Sequence, residues 1–249
     1  MRRRLGNPDE RPRAITLKTR GRICALKPVQ SMKVMSRLFQ DRMEGGRALA
    51  ELLGAYAHRK DVLILALPRG GVPVAFEVAQ ALNLPMDVFV VRKLGLPTNE
   101  ELAMGALASG NVRVLNEEVV NSFGITESII EAVAEEERVE LERRERLYRG
   151  DAPFPAVGDK AVLLVDDGLA TGSTMRAAVA ALRRQHPNRI VVAVPVAPPS
   201  TCEILRSEAD EVVTVATPEP FYAVGQWYKV FDQTTDWQVR DLYERSKHI

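Results

Sequence analysis

Five short apolar segments constrain the fold of this chain more than any other feature of its sequence. Each is four to seven residues long, and none alternates polar with apolar side chains. A strand with one face in solvent would alternate, whereas a strand of a parallel sheet is covered on both faces and shows a continuous apolar run. We therefore predict five buried strands. The segments are residues 62–67, 88–91, 161–165, 190–196 and 212–215.

Helical patterns separate most of these runs. Apolar residues recur at helical spacing over residues 74–82, 174–186 and 200–207, and over residues 40–58 ahead of the first run. The alternation predicts an α/β fold, with a doubly wound, mainly parallel five-stranded sheet flanked by helices. Ligands bind such sheets at the edge where the strands end, so the residues that follow each strand are the candidates for a site.

One segment departs from the alternation. Residues 126–149 are predicted to form a long helix that carries eight Glu and five Arg. A narrow apolar stripe at helical spacing allows two interpretations: it docks the helix on the body of the protein, or it contacts a second copy of the chain. Both stay open here, and we expect a homodimer. The stripe consists of Ile130, Val133, Ala134, Leu141 and Tyr148.

The charge of the chain is unevenly distributed. The net charge is +1, but residues 1–33 carry +8 and the remainder −7. We predict that this basic head is disordered; a nucleic-acid-binding arm and a native start at Met32 or Met35 are the alternatives. Nucleic acid is not expected as a partner. The α/β domain is assigned to residues 34–217, and residues 218–249 form a C-terminal extension that packs on the core or builds a hood.

Composition excludes several classes of protein. No apolar run approaches the ~18 residues that suggest a membrane span. The two cysteines, Cys24 and Cys202, are far apart, which excludes a disulfide scaffold and a four-cysteine zinc site. We therefore expect a cytoplasmic protein without a membrane partner.

The strongest motif follows the third apolar run. Two carboxylates, Asp166 and Asp167, end the strand, and a loop with two glycines leads into a helix. Gly172 permits a tight turn, and Ser173 or Thr174 is expected to cap the helix. The N–H groups and the dipole at a helix start favour an anion such as phosphate. Carboxylates beside a phosphate suit sugar hydroxyls or a hydrated Mg²⁺.

Three other nucleotide and hydrolase motifs are absent. The chain has no G-x-x-x-x-G-K-[ST] segment, no G-x-G-x-x-G segment after a strand, and no G-x-S-x-G segment. A P-loop nucleotidase, a dinucleotide-binding fold and an α/β-hydrolase are therefore not indicated.

The motif at residues 166–174 resembles the phosphoribosyl-diphosphate (PRPP) motif of the type I phosphoribosyltransferases, and the order of elements over residues 40–217 is similar to that fold. The resemblance implies that Asp166 and Asp167 hold the ribose 2′- and 3′-hydroxyls. It implies Mg²⁺ as cofactor, bound mainly through the substrate and in part by the same two carboxylates. The loop around the 5′-phosphate would comprise Ala170, Thr171, Gly172, Ser173 and Thr174.

Two further loops fit the same family. Arg69, Gly70 and Gly71 follow the first strand and form a second anion site of exposed N–H groups and one cation. By resemblance this is the diphosphate loop. Residues 91–101 follow the second strand as a polar loop that resembles the family's flexible lid, in which Arg92 and Lys93 would neutralise the leaving group as catalytic residues.

The acceptor base is the least determined part. Ala170 stands where relatives that use 6-oxopurines often carry an acidic residue, so Glu100 or Glu101 of the lid is the candidate for proton transfer, unless residues 99–101 merely begin a helix. Aromatic rings of the C-terminal extension, among them Phe221 and Tyr222, can stack on a base or pin the extension to the core.

These observations predict a Mg²⁺-dependent transfer of the phosphoribosyl group from PRPP to a small nitrogenous base, as in nucleotide salvage. Two alternatives remain at this stage. One is a PRPP-binding regulator without transfer activity, and the other is a hydrolase that acts on a phosphosugar in the same site.

Overall fold

The computed structural model describes residues 38–97 and 99–249. The predicted basic head, residues 1–33, lies outside them. The described strands are β1 (Val62–Ala66), β2 (Met86–Val88), β3 (Val91–Leu96), β4 (Asn99–Ala108), β5 (Val112–Leu115), β6 (Ala161–Val165), β7 (Arg189–Val196) and β8 (Glu211–Ala216). The described helices are α1 (Arg42–Leu52), α2 (Gly71–Leu82), α3 (Glu117–Ser122), α4 (Glu127–Arg149), α5 (Ser173–Arg183), α6 (Pro199–Glu208) and α7 (Asp236–Ser246).

A five-stranded parallel sheet forms the centre of the fold, which confirms the predicted architecture. Its strand order is β2-β1-β6-β7-β8, and every neighbouring pair is parallel. Strands β1 and β6 lie side by side in register, from Val62 opposite Ala161 to Ala66 opposite Val165. The two loops singled out in the sequence therefore leave the sheet at adjacent points.

Two separate cores explain why the strands show continuous apolar runs. In β1, Ile64 faces one apolar cluster, whereas Leu63 and Leu65 face another on the opposite side of the sheet. The first cluster is covered by α1, α2, α4 and α7, and the second by α5 and α6. Because both faces are covered, each residue of the strand is apolar, as expected for a parallel sheet.

The predicted helix over residues 40–58 is shorter in the structure. It begins at Arg42, after Asp41 accepts a hydrogen bond from the Glu44 amide at 2.9 Å, and it ends at Leu52. A short 3₁₀ turn, Gly54–Tyr56, follows. The C-cap of α1 is Leu53, whose amide donates to the carbonyl oxygens of Leu49 and Ala50.

The prediction for residues 91–101 was wrong in its local structure. In place of a polar loop, β3 and β4 form an antiparallel pair in a second, three-stranded sheet with β5. The predicted strand at residues 88–91 is divided between the end of β2 and the start of β3, and the possible helix start at Asn99 is a strand. Alternate apolar residues, such as buried Leu94 and Leu96, stabilise this sheet on one face.

Helix α4 docks on the body of the protein through its apolar stripe. Ile130, Ala134, Leu141 and Tyr148 are buried, which confirms the first of the two interpretations offered for this helix. Its last residue, Arg149, is also buried. The Arg149 guanidinium donates to Asp87 Oδ1 at 2.9 Å and to the carbonyl oxygen of Val88 at 2.8 Å, so it fixes the helix end to β2.

We expect Arg149→Leu to lower the free energy of unfolding by about 3–5 kcal/mol, because it leaves the Asp87 carboxylate buried without its cation. Urea unfolding followed by circular dichroism measures this. The matched control is Arg143→Leu in the same helix, whose ion pair with Glu140 is exposed and which should leave the midpoint unchanged. Equal effects of the two substitutions would contradict the role given to Arg149.

Candidate functional site

The loops after β1 and β6 touch each other at the carboxyl edge of the sheet. A Cβ added to Gly70 would lie 2.0 Å from Asp167 Oδ2, and one added to Gly71 would lie 2.7 Å from the carbonyl oxygen of Val165. Only glycine permits this approach of one backbone to the other chain segment. The Pro68–Arg69 peptide bond of the first loop is cis. The structure thus brings the predicted diphosphate loop against the predicted ribose-binding carboxylates.

The two carboxylates have defined partners. Asp166 Oδ1 accepts a hydrogen bond from the Asp167 amide at 2.8 Å, and Asp167 Oδ2 accepts one from Arg42 Nε at 2.7 Å. Burial raises the pKa of Asp166 well above its ordinary value, and the charge of Asp167 raises it further. Burial also raises the pKa of Asp167, and the Arg42 guanidinium opposes that rise. Burial therefore disfavours charge on both carboxyl groups, and Arg42 is the cation that opposes this effect.

Arg42 is a site residue that the sequence did not indicate. Its guanidinium donates to the carbonyl oxygen of Asp232 at 2.7 Å and lies 3.8 Å from the centre of the Phe231 ring. Nearby, the hydroxyl of Tyr228 donates to the carbonyl oxygen of Asp167 at 2.5 Å. No local motif marks Arg42, because its partners lie more than a hundred residues away in the chain.

The predicted phosphate loop has the expected backbone but a different cap. Gly172 has φ +73° and occupies the N-cap of α5, with no side-chain hydrogen bond, so the expected capping by Ser173 or Thr174 was wrong. Helix α5 begins at Ser173 itself because Gly172 adopts the left-handed turn one residue earlier. The start of α5 therefore lies within the loop, where its dipole favours an anion.

Thr201 of α6 supports this loop from behind. Its hydroxyl donates to the carbonyl oxygen of Ala170 at 2.7 Å, and its methyl group lies 2.7 Å from where a Cβ on Gly172 would be. Thr201 is buried. The shape of the loop is thus fixed from the next helix, which no feature of the motif itself showed.

Arg69 is held at the edge of the diphosphate loop by the C-terminal helix. Its Nη1 lies 3.8 Å from Asp236 Oδ1, and the same oxygen accepts a hydrogen bond from the Tyr148 hydroxyl at 2.6 Å. Desolvation and the Asp236 carboxylate raise the pKa of Tyr148 above its ordinary value, so the phenol stays a donor. Arg69 is the cation that the described contacts place on this loop.

Arg92 and Lys93 lie elsewhere. Arg92 Nε donates to Glu137 Oε2 of α4 at 2.5 Å, and both basic residues line a groove of about 610 Å³ between β3 and α4. The structure does not bring Arg92 into contact with the carboxylate pair.

The residues predicted to serve the base lie in two other elements. Glu100 and Glu101 belong to β4. Tyr222 is 79% exposed, and the Phe221 ring lies 5.9 Å from that of Trp227.

The described residues contain neither a cluster of metal-binding side chains nor a helix that could span a membrane. Residues 38–97 and 99–249 contain no group of three or more His, Cys, Asp or Glu side chains gathered around a possible metal position. Within the same part of the chain, no helix is both long enough and apolar enough to cross a bilayer.

A doubly wound sheet with a glycine loop pressed against a carboxylate pair, beside a glycine turn that begins a helix, is the arrangement expected of the phosphoribosyltransferase class. The comparisons agree: a family model described as a phosphoribosyl transferase domain matches residues 39–225. The chain belongs to this family. A crystal structure of a protein from Thermus thermophilus is 40% identical, covers 83% of this chain and 98% of that one, and superposes with a TM-score of 0.76.

Two curated relatives extend the likeness. They are proteins of two Mycobacterium tuberculosis strains, CDC 1551/Oshkosh and H37Rv, whose names assign them provisionally to the phosphoribosyl transferases. Each is 47% identical over 211 residues, which is 84% of this chain. The match covers 47% of each relative, so this chain corresponds to about half of their length.

We expect Gly70→Ala to lower the free energy of unfolding by about 1–3 kcal/mol, because the new methyl group would overlap the Asp167 carboxylate and force the two loops apart. The control is Gly54→Ala, where an added Cβ meets no atom within 4 Å. Urea unfolding of both variants provides the measurement. If Gly70→Ala is as stable as the control, the close contact of the loops does not exist in solution.

Proposed function

We propose that this chain transfers the phosphoribosyl group from PRPP to a nitrogenous base and releases diphosphate. Membership of the phosphoribosyl transferase family supports the reaction class. The observation that carries the proposal is the arrangement of the carboxylate pair against the diphosphate loop. The carboxylates offer acceptors for sugar hydroxyls, and the loop that touches them offers N–H donors for phosphate groups.

The free oxygens of the pair match two neighbouring hydroxyls. Asp166 Oδ1 and Asp167 Oδ2 are already engaged, and both lie on the side of the Gly70–Gly71 loop. The hydrogen bonds among the described residues leave Asp166 Oδ2 and Asp167 Oδ1 available. Each carboxylate therefore keeps one acceptor, which suits the vicinal 2′- and 3′-hydroxyl donors of a ribose.

The anionic groups of PRPP have two places to bind. The 5′-phosphate suits the loop of residues 170–174, where the start of α5 and the left-handed Gly172 present backbone N–H groups. The diphosphate suits the loop of Gly70 and Gly71, with Arg69 as its cation. Arg92 would have to release Glu137 before it could neutralise the leaving group.

The donor set is compatible with Mg²⁺. Hard divalent cations of this kind prefer carboxylate oxygens and water, and often bind through one or two carboxylates together with substrate phosphates. Asp166 and Asp167 would hold the ion through their unpartnered oxygens or through the ribose. When bound, Mg²⁺ supplies electrostatic neutralisation of the diphosphate.

The residues of the chain act mainly by position in the proposed reaction. The bond between ribose C1 and the diphosphate oxygen breaks, and a ring nitrogen of the base forms the new bond to C1. The proton on that nitrogen is released, and Glu100 or Glu101 stays its predicted acceptor. Positive charge develops on the sugar while negative charge leaves with diphosphate, so anchoring both ends of PRPP in fixed loops lowers the barrier.

The acceptor base itself is unassigned. Phe221 and Tyr222 stay predicted contacts of the base, and a homodimer and a cytoplasmic location stay predictions of the sequence.

We expect the double variant Asp166→Asn, Asp167→Asn to lose measurable binding of PRPP, because the amides replace acceptor oxygens with donors that face the sugar hydroxyls. Calorimetric titration with PRPP and Mg²⁺ checks this, with Asp61→Asn at the opposite edge of the sheet as control. Urea unfolding accompanies the titration, because the variant also removes the carboxylate that Arg42 pairs with in a largely buried ion pair. Undiminished affinity would refute the ribose assignment.

The reaction is tested by diphosphate release from PRPP and Mg²⁺ across a panel of nucleobases with a no-base sample. Release that depends on one base is the expected result and names the acceptor. Release without any base would replace the proposal by hydrolysis of a phosphosugar. Tight PRPP binding with no release from any sample would indicate a regulator.

A further inference from the structure

We propose that Arg42 is a positioning residue that fixes the orientation of the Asp167 carboxylate for the sugar of PRPP. The inference deepens the proposed function and rests on it. Neither the family motif nor the loops around it include this arginine, which comes from the start of α1.

Three contacts fix the Arg42 side chain itself. Nε donates to Asp167 Oδ2 at 2.7 Å, Nη1 donates to the carbonyl oxygen of Asp232 at 2.7 Å, and the guanidinium carbon lies 3.8 Å from the centre of the Phe231 ring. The side chain is only 12% exposed. A planar guanidinium with two hydrogen bonds and a ring against one face has little conformational freedom. It can therefore fix the orientation of the carboxylate that it binds.

The orientation of the carboxylate matters because the two oxygens of Asp167 have different partners. Oδ2 points at Arg42 and lies against the Gly70 backbone, which leaves Oδ1 for a ligand. Asp166 directly precedes it and repels its charge. Without a cation on Oδ2, we expect the Asp167 carboxylate to rotate, so that Oδ1 is no longer held in one position for a ligand.

The C-terminal extension completes this arrangement. Phe231 and Asp232 contact Arg42, and Tyr228 donates to the carbonyl oxygen of Asp167 and stacks on Phe231 with ring centres 5.0 Å apart. Two of the contacts on Arg42 therefore come from the C-terminal extension, which the sequence predicted either to pack on the core or to build a hood. In the structure these residues support the carboxylate through Arg42.

The test compares Arg42→Met and Arg42→Lys with the unsubstituted protein by calorimetric titration. Two probes are used, PRPP with Mg²⁺ and inorganic diphosphate with Mg²⁺. Arg47→Met is the matched control, because Arg47 is in the same helix and pairs with Glu77 outside the site. Urea unfolding of every variant accompanies the titrations.

We expect Arg42→Met to weaken PRPP binding about tenfold or more, as for loss of a hydrogen bond to a charged group, while diphosphate binding changes by less than about twofold. Arg42→Lys keeps the charge without the planar guanidinium and should recover part of the PRPP affinity. It also serves as the test if Arg42→Met does not fold. A merely structural role would weaken both probes together.

Unchanged PRPP affinity in both Arg42 variants would overturn the inference and leave the proposed function standing. Parallel loss of PRPP and diphosphate binding would also overturn it. Failure of the unsubstituted protein to bind PRPP would overturn the proposed function, and the inference with it. Loss of PRPP affinity in Arg47→Met equal to that in Arg42→Met would show that the effect belongs to the helix and not to Arg42.

Discussion

The candidate site depends on the direct contact of two backbone turns at the ends of neighbouring strands. Because Ala66 and Val165 are paired across β1 and β6, the turns that follow start side by side. Glycines at 70 and 71 let one turn rest on the carboxylates of the other. A side chain at either position would push the two turns apart, so sheet register and glycine together determine whether the Gly70–Gly71 turn can lie against the carboxylates.

Two largely buried arginines stabilise the structure in the same manner. Arg42 binds Asp167, a backbone carbonyl oxygen and the face of Phe231. Arg149 binds Asp87, a backbone carbonyl oxygen and the face of Phe154, at 5.2 Å. In each case the guanidinium neutralises a buried carboxylate and connects elements that are distant in the sequence. The contacts of Arg149 are structural, whereas those of Arg42 lie in the candidate site.

The sequence predicted those parts of the molecule that are encoded in continuous segments of the chain. The five-stranded sheet followed from uninterrupted apolar runs, and the carboxylate pair with its glycine loop was visible as one continuous motif. The second sheet was missed because Arg92 and Lys93 interrupt the apolar alternation at the start of β3, so the segment resembled a polar loop. Its later residues, Leu94 and Leu96, carry the signal that could have identified a strand.

Contacts between distant segments could not be predicted in this way. Arg42, Thr201 and Asp236 each reach a predicted loop from another element, and none has a recognisable neighbourhood in the sequence. Likewise, Ser173 and Thr174 are good capping residues by type, but Gly172 occupies the N-cap position of α5 and has no side chain that could cap it. Residue type gave the chemistry of the site, whereas packing determined which side chains supply it.

The contacts of residues 228–232 with Asp167 and Arg42 have a consequence for folding during synthesis. A chain emerging from the ribosome presents β1, β6 and both loops well before Tyr228, Phe231 and Asp232 are synthesised. Domains generally fold as units, so Arg42 has neither its aromatic face nor its carbonyl partner until Phe231 and Asp232 have been synthesised. The contacts around Asp167 and Arg42 are therefore complete only once residues 228–232 have joined the domain.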